Sequence, residues 1–163
     1  MSRGARAGLL FGVGFAAVVW LMTSPLEALV GPEAQLFSRV NEVRADHSLI
    51  ALRGSSELAA VARGHAEDMV RRGYFAHESP EGKNALDRAK AAGLSGFALL
   101  AENIGASSVG GDRIEAIVDA WMQSHDHREN VLNPAFNTAG VAVVEAPDGR
   151  TIVVELYATY PSP

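Results

Sequence analysis

The chain has 163 residues, a net charge of −5 and no cysteine. An acidic balance without a basic run lacks the electrostatic footprint of a nucleic-acid-binding protein, so we expect no nucleic-acid partner. The absence of cysteine excludes disulfide bonds, thiol catalysis and membrane attachment through a lipidated amino-terminal cysteine, so apolar burial must stabilise the fold.

Residues 1–30 have the layout of an export signal. Two arginines precede an uncharged and almost wholly apolar run from Ala7 to Met22. That run of roughly 16 residues is short for a membrane-spanning helix, which needs about 20, and no clean Ala-x-Ala cleavage site follows it. A signal peptide and an uncleaved membrane anchor therefore both stay open. We expect an exported protein, secreted or periplasmic or held at the membrane by this segment, with one compact domain over residues 31–163.

Three helices are predicted in the first half of this domain. The segment EAQLFSRVNEVRADHS has apolar residues at helical spacing and predicts the first helix. The second is predicted to be capped by Ser55 or Ser56 and to end at Gly73. A third, shorter helix, KNALDRAKAAG, closes at Gly93. The inward stripe of the second helix is Leu58, Ala62, Ala66 and Met69.

The second half combines one more helix with strands. An apolar run, FALLAENIG, leads into a glycine- and serine-rich loop, and a fourth helix is predicted to start at Asp112 with Trp121 facing inward. Two β-branched runs then flank the turn sequence PDG, which predicts a hairpin. Helices that come first and an antiparallel sheet that comes late favour an α+β sandwich over alternating βαβ units.

Familiar catalytic signatures are absent from the sequence. There is no His-Glu-x-x-His zinc motif and no Gly-Lys-Ser/Thr phosphate loop, and GLSGF lacks the second glycine of a nucleophile elbow. Three polar residues instead lie beside apolar or small-residue stretches: His77, Glu102 and His127. Two imidazoles and a carboxylate are suitable ligands for zinc or a similar divalent ion. The alternative is that each histidine caps a helix end or lies in solvent.

Four segments occur in a specific order over most of the domain: YFAHESPEG, AENIG, AWMQSHDHRENVLNPAFNTAGVAV and VVELYA. Together they resemble the CAP superfamily of cysteine-rich secretory proteins, antigen 5 and pathogenesis-related 1 proteins. The closer likeness is to its short, cysteine-free bacterial SCP-like branch. The resemblance implies a three-layer α-β-α sandwich around a small antiparallel sheet, which agrees with the α+β pattern read from the elements.

The resemblance also implies a central cleft lined by two histidines and two glutamates. His77 matches the first histidine, Glu102 the first glutamate and His127 the second histidine. The second glutamate of the family falls three residues after the helix tryptophan, where this chain has Ser124. Three of the four cleft positions are therefore matched.

His125 lies two residues before His127 on the same predicted helix end. At 3.6 residues per turn the two side chains point about 200° apart, so they do not share a site on a helix. The resemblance puts Ser124 at the rim of the cleft, and His125 is expected either at that rim or exposed to solvent. His65 is predicted at the surface and Glu155 facing either the cleft or solvent.

Three functions stay open from the sequence. The first is a secreted or surface-exposed module whose cleft binds a divalent cation, with zinc first, and a small ligand. The second is a peptidase-like, metal-assisted hydrolase with Glu102 as general base. The third is an extracellular platform for a lipid or cell-envelope component, without site chemistry. We favour binding over catalysis, expect no organic cofactor, and expect membrane contact only through residues 1–30 if they are retained.

Overall fold

The computed structural model describes Met1, residues 31–108, residue 110 and residues 112–161. The export segment predicted from the sequence lies, apart from Met1, outside the described residues. In the part of the chain that the structure describes, no helix is both long and apolar enough to cross a membrane.

The described residues form five helices and four strands, with the bounds that follow. The helices are α1 (Pro32–Asp46), α2 (Ser56–Arg72), α3 (Ala85–Ala91), α4 (Arg113–Gln123) and α5 (His125–Val131). The strands are β1 (Arg53–Gly54), β2 (Leu99–Ser107), β3 (Thr138–Glu145) and β4 (Thr151–Thr159).

The four strands form one sheet in the order β1-β3-β4-β2. The predicted hairpin around PDG is confirmed, because β3 and β4 pair antiparallel on either side of it. The apolar run before the glycine- and serine-rich loop is strand β2, which pairs with β4 along its whole length. The sheet is therefore not built only from the late part of the chain, as the sequence had indicated, and the short β1 adds a parallel edge to β3.

The apolar core has two layers, because successive residues of each strand face opposite sides of the sheet. Val153 and Tyr157 of β4 pack with α1 and α4 on one face of the sheet. Val154 and Leu156 pack with α2 on the opposite face. Helices on both faces of a central sheet confirm the three-layer α-β-α sandwich that the resemblance implied.

The ends of the helices follow from their capping residues. The side chain of Ser55 accepts a hydrogen bond from the amide of Leu58 at the start of α2, and Gly73 ends that helix with φ 71°. Asp112 caps α4 by accepting from two amides of its first turn. The sequence predicted where α2 and α4 begin and where α2 ends. Such predictions are possible because a capping side chain and a positive φ each require a particular residue type.

Gly140 and Gly105 lie where a helix packs against the sheet with no space for a side chain. A Cβ atom on Gly140 would lie against the backbone of Leu58 and Ala59 in α2. A Cβ atom on Gly105 would lie 2.5 Å from Cγ2 of Ile117 in α4. The glycines therefore set how tightly each helical layer sits on the sheet.

Arg44 connects α1 to the segment that follows α5. Its side chain is fully buried, and its guanidinium donates to the carbonyls of Ile50 (3.1 and 3.0 Å), Val131 (2.7 Å), Asn133 (3.0 Å) and Phe136 (3.1 Å). One cation thus accepts no bond itself but supplies donors to four carbonyls, and the bonds to Val131 and Phe136 are buried. This bonding fixes the carboxyl end of α5 against α1.

Glu155 faces neither the cleft nor solvent, so both placements predicted for it were wrong. The residue is fully buried, because strand alternation puts it on the same face as Val153 and Tyr157. One carboxyl oxygen, Oε2, accepts a 2.8 Å hydrogen bond from the hydroxyl of Tyr157. The other has no hydrogen-bond partner among the described residues. Burial raises the pKa of Glu155 to about 8.

Candidate functional site

A polar cleft forms where three elements meet at the β2 edge of the sheet. His77 lies in the segment between α2 and α3, Glu102 on β2 and His127 on α5. The structure therefore brings all three sequence-predicted residues to one end of the molecule, although 50 residues of chain separate the two histidines.

Glu102 is the most buried member of the cleft, with 4% of its side chain exposed. Oε1 accepts a 2.9 Å hydrogen bond from Nδ1 of His77. Oε2 accepts a 2.5 Å hydrogen bond from Arg88 of α3. The charge of this buried carboxylate is therefore balanced by a guanidinium, and both of its oxygens are already hydrogen-bonded.

The rings of His77 and His127 face each other across the cleft, with centroids 6.4 Å apart and planes 35° apart. His127 also lies 6.4 Å from the ring of Trp121, and no residue in the described ranges hydrogen-bonds to its imidazole nitrogens. Burial, and then the charge of His77, lower the pKa of His127. This lowering favours the neutral ring, which offers a nitrogen lone pair to a ligand.

Asn103 fixes α5 in place beneath the cleft. Because consecutive strand residues face opposite sides of a sheet, Glu102 faces α2 and α3 while Asn103 faces α5. The amide nitrogen of Asn103 donates to the carbonyl of His127 (3.0 Å), and its oxygen accepts from Asn130 (2.9 Å). Asn103 and Asn130 therefore link strand β2 to helix α5 through their side chains.

His65 was predicted at the surface, and that prediction was wrong. Only 1% of the residue is exposed, and Nε2 lies 3.0 Å from the carbonyl oxygen of Ala76 and 3.9 Å from Oε1 of Glu102. Burial lowers the pKa of His65. Its position was readable from the sequence, because it is seven residues after Leu58 and four before Met69, on the inward stripe of α2.

Arg88 was not singled out from the sequence at all. An arginine in a short amphipathic helix is usually a solvated residue, and no local pattern distinguishes this one. Only the packing of α3 beside β2 shows that it meets Glu102.

Of the two predicted rim residues, Ser124 lines a groove that His127 also lines, and His125 lies on the outer side of α5. Ser124 joins α4 to α5, and His125 is exposed over 72% of its side chain. The imidazole of His125 lies 3.1 Å from Asp126 and 3.5 Å from Glu129. These three exposed residues form a second group whose ligand atoms lie within 4.8 Å of one another. His125 and His127 thus face different surroundings, as the helical spacing predicted.

A groove of about 500 Å³ runs from His127 along the edge of β2. It lies between the β2 edge and α4, and Phe75, Ala120 and Trp121 supply apolar walls. Small residues of β2 and α4 form most of its floor. A molecule bound at His127 would therefore have an apolar surface beside it.

The donor set of the cleft fits a divalent ion with one adjustment. Zinc binds imidazole nitrogen at about 2.0–2.1 Å, so a tetrahedral ion shared by two imidazoles would place their centroids about 5 Å apart. The observed 6.4 Å requires the rings to approach by about 1 Å to reach such distances. Half of the His77 side chain is exposed, so a small shift of that ring toward His127 meets little steric resistance.

Comparison with known proteins gives one family and several similar structures. The sequence model of the cysteine-rich secretory protein family, CAP, matches residues 37–157. The uncharacterised protein YkwD of Bacillus subtilis (strain 168) is 34% identical over 124 residues, which is 76% of this chain and 47% of that protein. This chain thus spans about half the length of this curated relative.

Two solved structures share the fold. An extracellular protein containing an SCP domain from Bacillus anthracis (strain Ames) is 31% identical, with a TM-score of 0.69 over 79% of this chain and 40% of that chain. An outer surface protein from Borrelia burgdorferi is 22% identical, with a TM-score of 0.72 over 82% of this chain and 96% of that chain. At that lower identity the second likeness concerns the fold alone.

Proposed function

Because this chain belongs to the CAP, or cysteine-rich secretory protein, family, we propose that its cleft binds a divalent cation through His77 and His127. Zinc is the first candidate, since it accepts imidazole nitrogen and keeps open positions in sites with few protein ligands. One observation in particular supports the proposal. The two imidazoles face each other, and one of them is already oriented by a buried carboxylate.

The hydrogen bond from His77 to Glu102 is of the kind that supports histidine ligands in known metal sites. Metal-binding histidines usually donate their second ring N–H to a carboxylate, which fixes the tautomer and the ring orientation. Here Nδ1 of His77 donates to Glu102, so Nε2 keeps its lone pair for an ion. The sequence suggested Glu102 as a third ligand to the ion, whereas the geometry favours a role in which its carboxylate orients His77.

Two protein nitrogens would leave the remaining coordination positions to water or to a bound molecule. The groove beside His127 is mostly apolar with a polar end at the imidazole. We propose that a small ligand, from a lipid or another cell-envelope component, enters this groove with a polar group at the ion. Such a ligand would be positioned by the ion and held by apolar contact.

A metal-assisted hydrolase is the weaker proposal. General-base catalysis would require a carboxylate with a free oxygen within reach of a bound water. Both oxygens of Glu102 accept hydrogen bonds, from His77 and Arg88, and Ser124 offers no second carboxylate. We therefore propose a binding role.

Export of the protein is proposed on two grounds. The amino-terminal sequence has a cationic start and an apolar run, and the Bacillus anthracis relative is described as extracellular. Secretion and retention by an uncleaved anchor are both compatible with a cleft that works outside the cytoplasm.

Calorimetric titration with zinc of the chain from Gly31 onward tests the site. We expect saturable binding to the wild type and at least a roughly tenfold loss of affinity in His127→Ala, because one of two protein ligands is removed. Affinity should also fall as the pH drops through the range where imidazoles gain protons. His125→Ala is the matched control and should bind like the wild type.

The control also identifies the alternative location. If His125→Ala loses zinc while His127→Ala keeps it, the ion sits on the exposed group formed with Asp126 and Glu129, and the cleft proposal is wrong. Absence of binding by the wild type at millimolar zinc would also contradict it.

A further inference from the structure

The segment that carries His77 has no regular secondary structure. Between Gly73 and Ala85 the described chain forms only turns, bends and irregular backbone, so no helical or strand hydrogen bonds fix the position of the imidazole. Side chains from neighbouring elements must do so instead, and two of them contact the carbonyls on each side of His77.

Arg88 connects three points around the cleft. Its Nη1 donates to the carbonyls of His77 (3.0 Å) and Lys83 (2.9 Å), and its Nη2 donates to Oε2 of Glu102 (2.5 Å). The side chain is only 14% exposed. A planar guanidinium can reach all three acceptors at once, which a single ammonium group cannot do in the same geometry.

His65 fixes the peptide just before His77. A carbonyl oxygen only accepts hydrogen bonds, so the 3.0 Å contact of Nε2 with Ala76 requires the proton of His65 to be on Nε2. The same ring edge lies 3.9 Å from Oε1 of Glu102, the oxygen that accepts from His77. His65 therefore packs against both the backbone and the carboxylate that define the position of His77.

We propose that Arg88 and His65 are positioning residues that hold His77 in its Nδ1–H tautomer, with Nε2 turned to the cleft. Arg88 binds one oxygen of Glu102, which leaves the other for His77. The two side chains also fix the carbonyls of Ala76 and His77. This inference rests on the proposed function, because the purpose of positioning His77 is to bind the ion. The tautomer of His77 can nevertheless be observed in protein that holds no metal.

The test uses protein labelled with ¹⁵N in its histidines, kept free of metal at about pH 8, where free imidazoles are neutral. Long-range ¹H–¹⁵N correlation spectra distinguish protonated from unprotonated ring nitrogens. We expect Nδ1 of His77 to carry the proton in the wild type. We expect mixed tautomers in Arg88→Gln, with zinc affinity about 10- to 100-fold lower, as for other outer-shell substitutions.

Conservative variants and a matched control separate positioning from general stability. Arg88→Lys should give intermediate values, because the charge is kept and the planar fork is lost. His65→Gln keeps an N–H donor for Ala76 and should retain more zinc affinity than His65→Leu. Arg72→Gln is the matched control, because Arg72 hydrogen-bonds to Glu81 of the same segment (2.9 and 2.6 Å) and does not contact Glu102. This variant should change neither the tautomer of His77 nor the zinc affinity.

The result for unsubstituted protein is decisive even if Arg88→Gln does not fold. A wild-type His77 with its proton on Nε2 would overturn the inference. So would a folded Arg88→Gln whose His77 tautomer and zinc affinity match those of the wild type. The Nδ1–H tautomer in the wild type, mixed tautomers in a folded Arg88 variant and no zinc binding would instead support the positioning role and overturn the metal proposal.

Discussion

Gly140→Ala is expected to destabilise the domain by about 3 kcal/mol or more, the upper range for inserting an atom into a packed core. The added methyl group would press on the backbone of Leu58 and Ala59 and lie 2.5 Å from Cβ of Leu58. These atoms belong to a helix and cannot rotate away as the end of a side chain can. The whole of α2 would have to move from β3, and with it one of the two core layers.

Denaturant unfolding of the wild type and the variant measures this effect. Gly64→Ala is the matched control, because Gly64 lies within α2 and has no heavy atom within 4 Å of its added Cβ. That variant should be as stable as the wild type or more stable by up to about 1 kcal/mol, since alanine favours a helix. Equal stability of Gly140→Ala and the wild type would show that α2 does not pack this closely.

Glu155→Gln is expected to stabilise the protein increasingly as the pH rises from about 5 to 8. The folded-state pKa of Glu155 is raised by burial from 4.5 to about 8. Below pH 4.5 the folded and unfolded chains both hold the proton, and the variant has no pH-dependent advantage. Between these values the unfolded chain releases the proton while the folded chain keeps it, so the wild type loses stability as the pH rises.

The stability gained by Glu155→Gln can be calculated from the rise in the pKa of Glu155. At about 1.4 kcal/mol per pKa unit, the rise from 4.5 to about 8 corresponds to a gain of roughly 5 kcal/mol at most, reached once the pH exceeds about 8. Unfolding measured at several pH values checks the slope, with Glu67→Gln on the exposed face of α2 as the matched control. A stability difference that is constant between pH 5 and 8 would mean that Glu155 is ionised in the fold and paired electrostatically with Arg44.

The sequence predicted those features that depend on local pattern. The helices α1 to α4, the caps at Ser55 and Asp112, and the hairpin around PDG each follow from periodicity or from a residue type that one backbone geometry requires. Strand β2 was missed as a strand because LLAENIG has no alternation. Its central residues are covered on both faces, and its pairing partner β4 lies some 50 residues further along the chain.

The three cleft residues were assigned by resemblance, and their surroundings needed the fold. His65 could have been placed from the inward stripe of α2, but an imidazole among alanines is easily taken for a surface residue at the edge of a stripe. Arg88 and Asn103 could not have been assigned, because their partners, Glu102 and the carbonyl of His127, come from elements that are distant in the sequence. The burial of Glu155 depended on strand register, which one residue of slip would reverse.

The central position of β4 has a consequence for how the chain folds. This strand is the last of the described elements, yet it lies between β2 and β3 and supplies residues to both core layers. Neither layer can close before residues 151–159 are available. Folding therefore waits for long-range strand pairing, which is slow compared with helix formation. We expect refolding to be a single cooperative step, with helices that gain lasting structure only when the last strand docks.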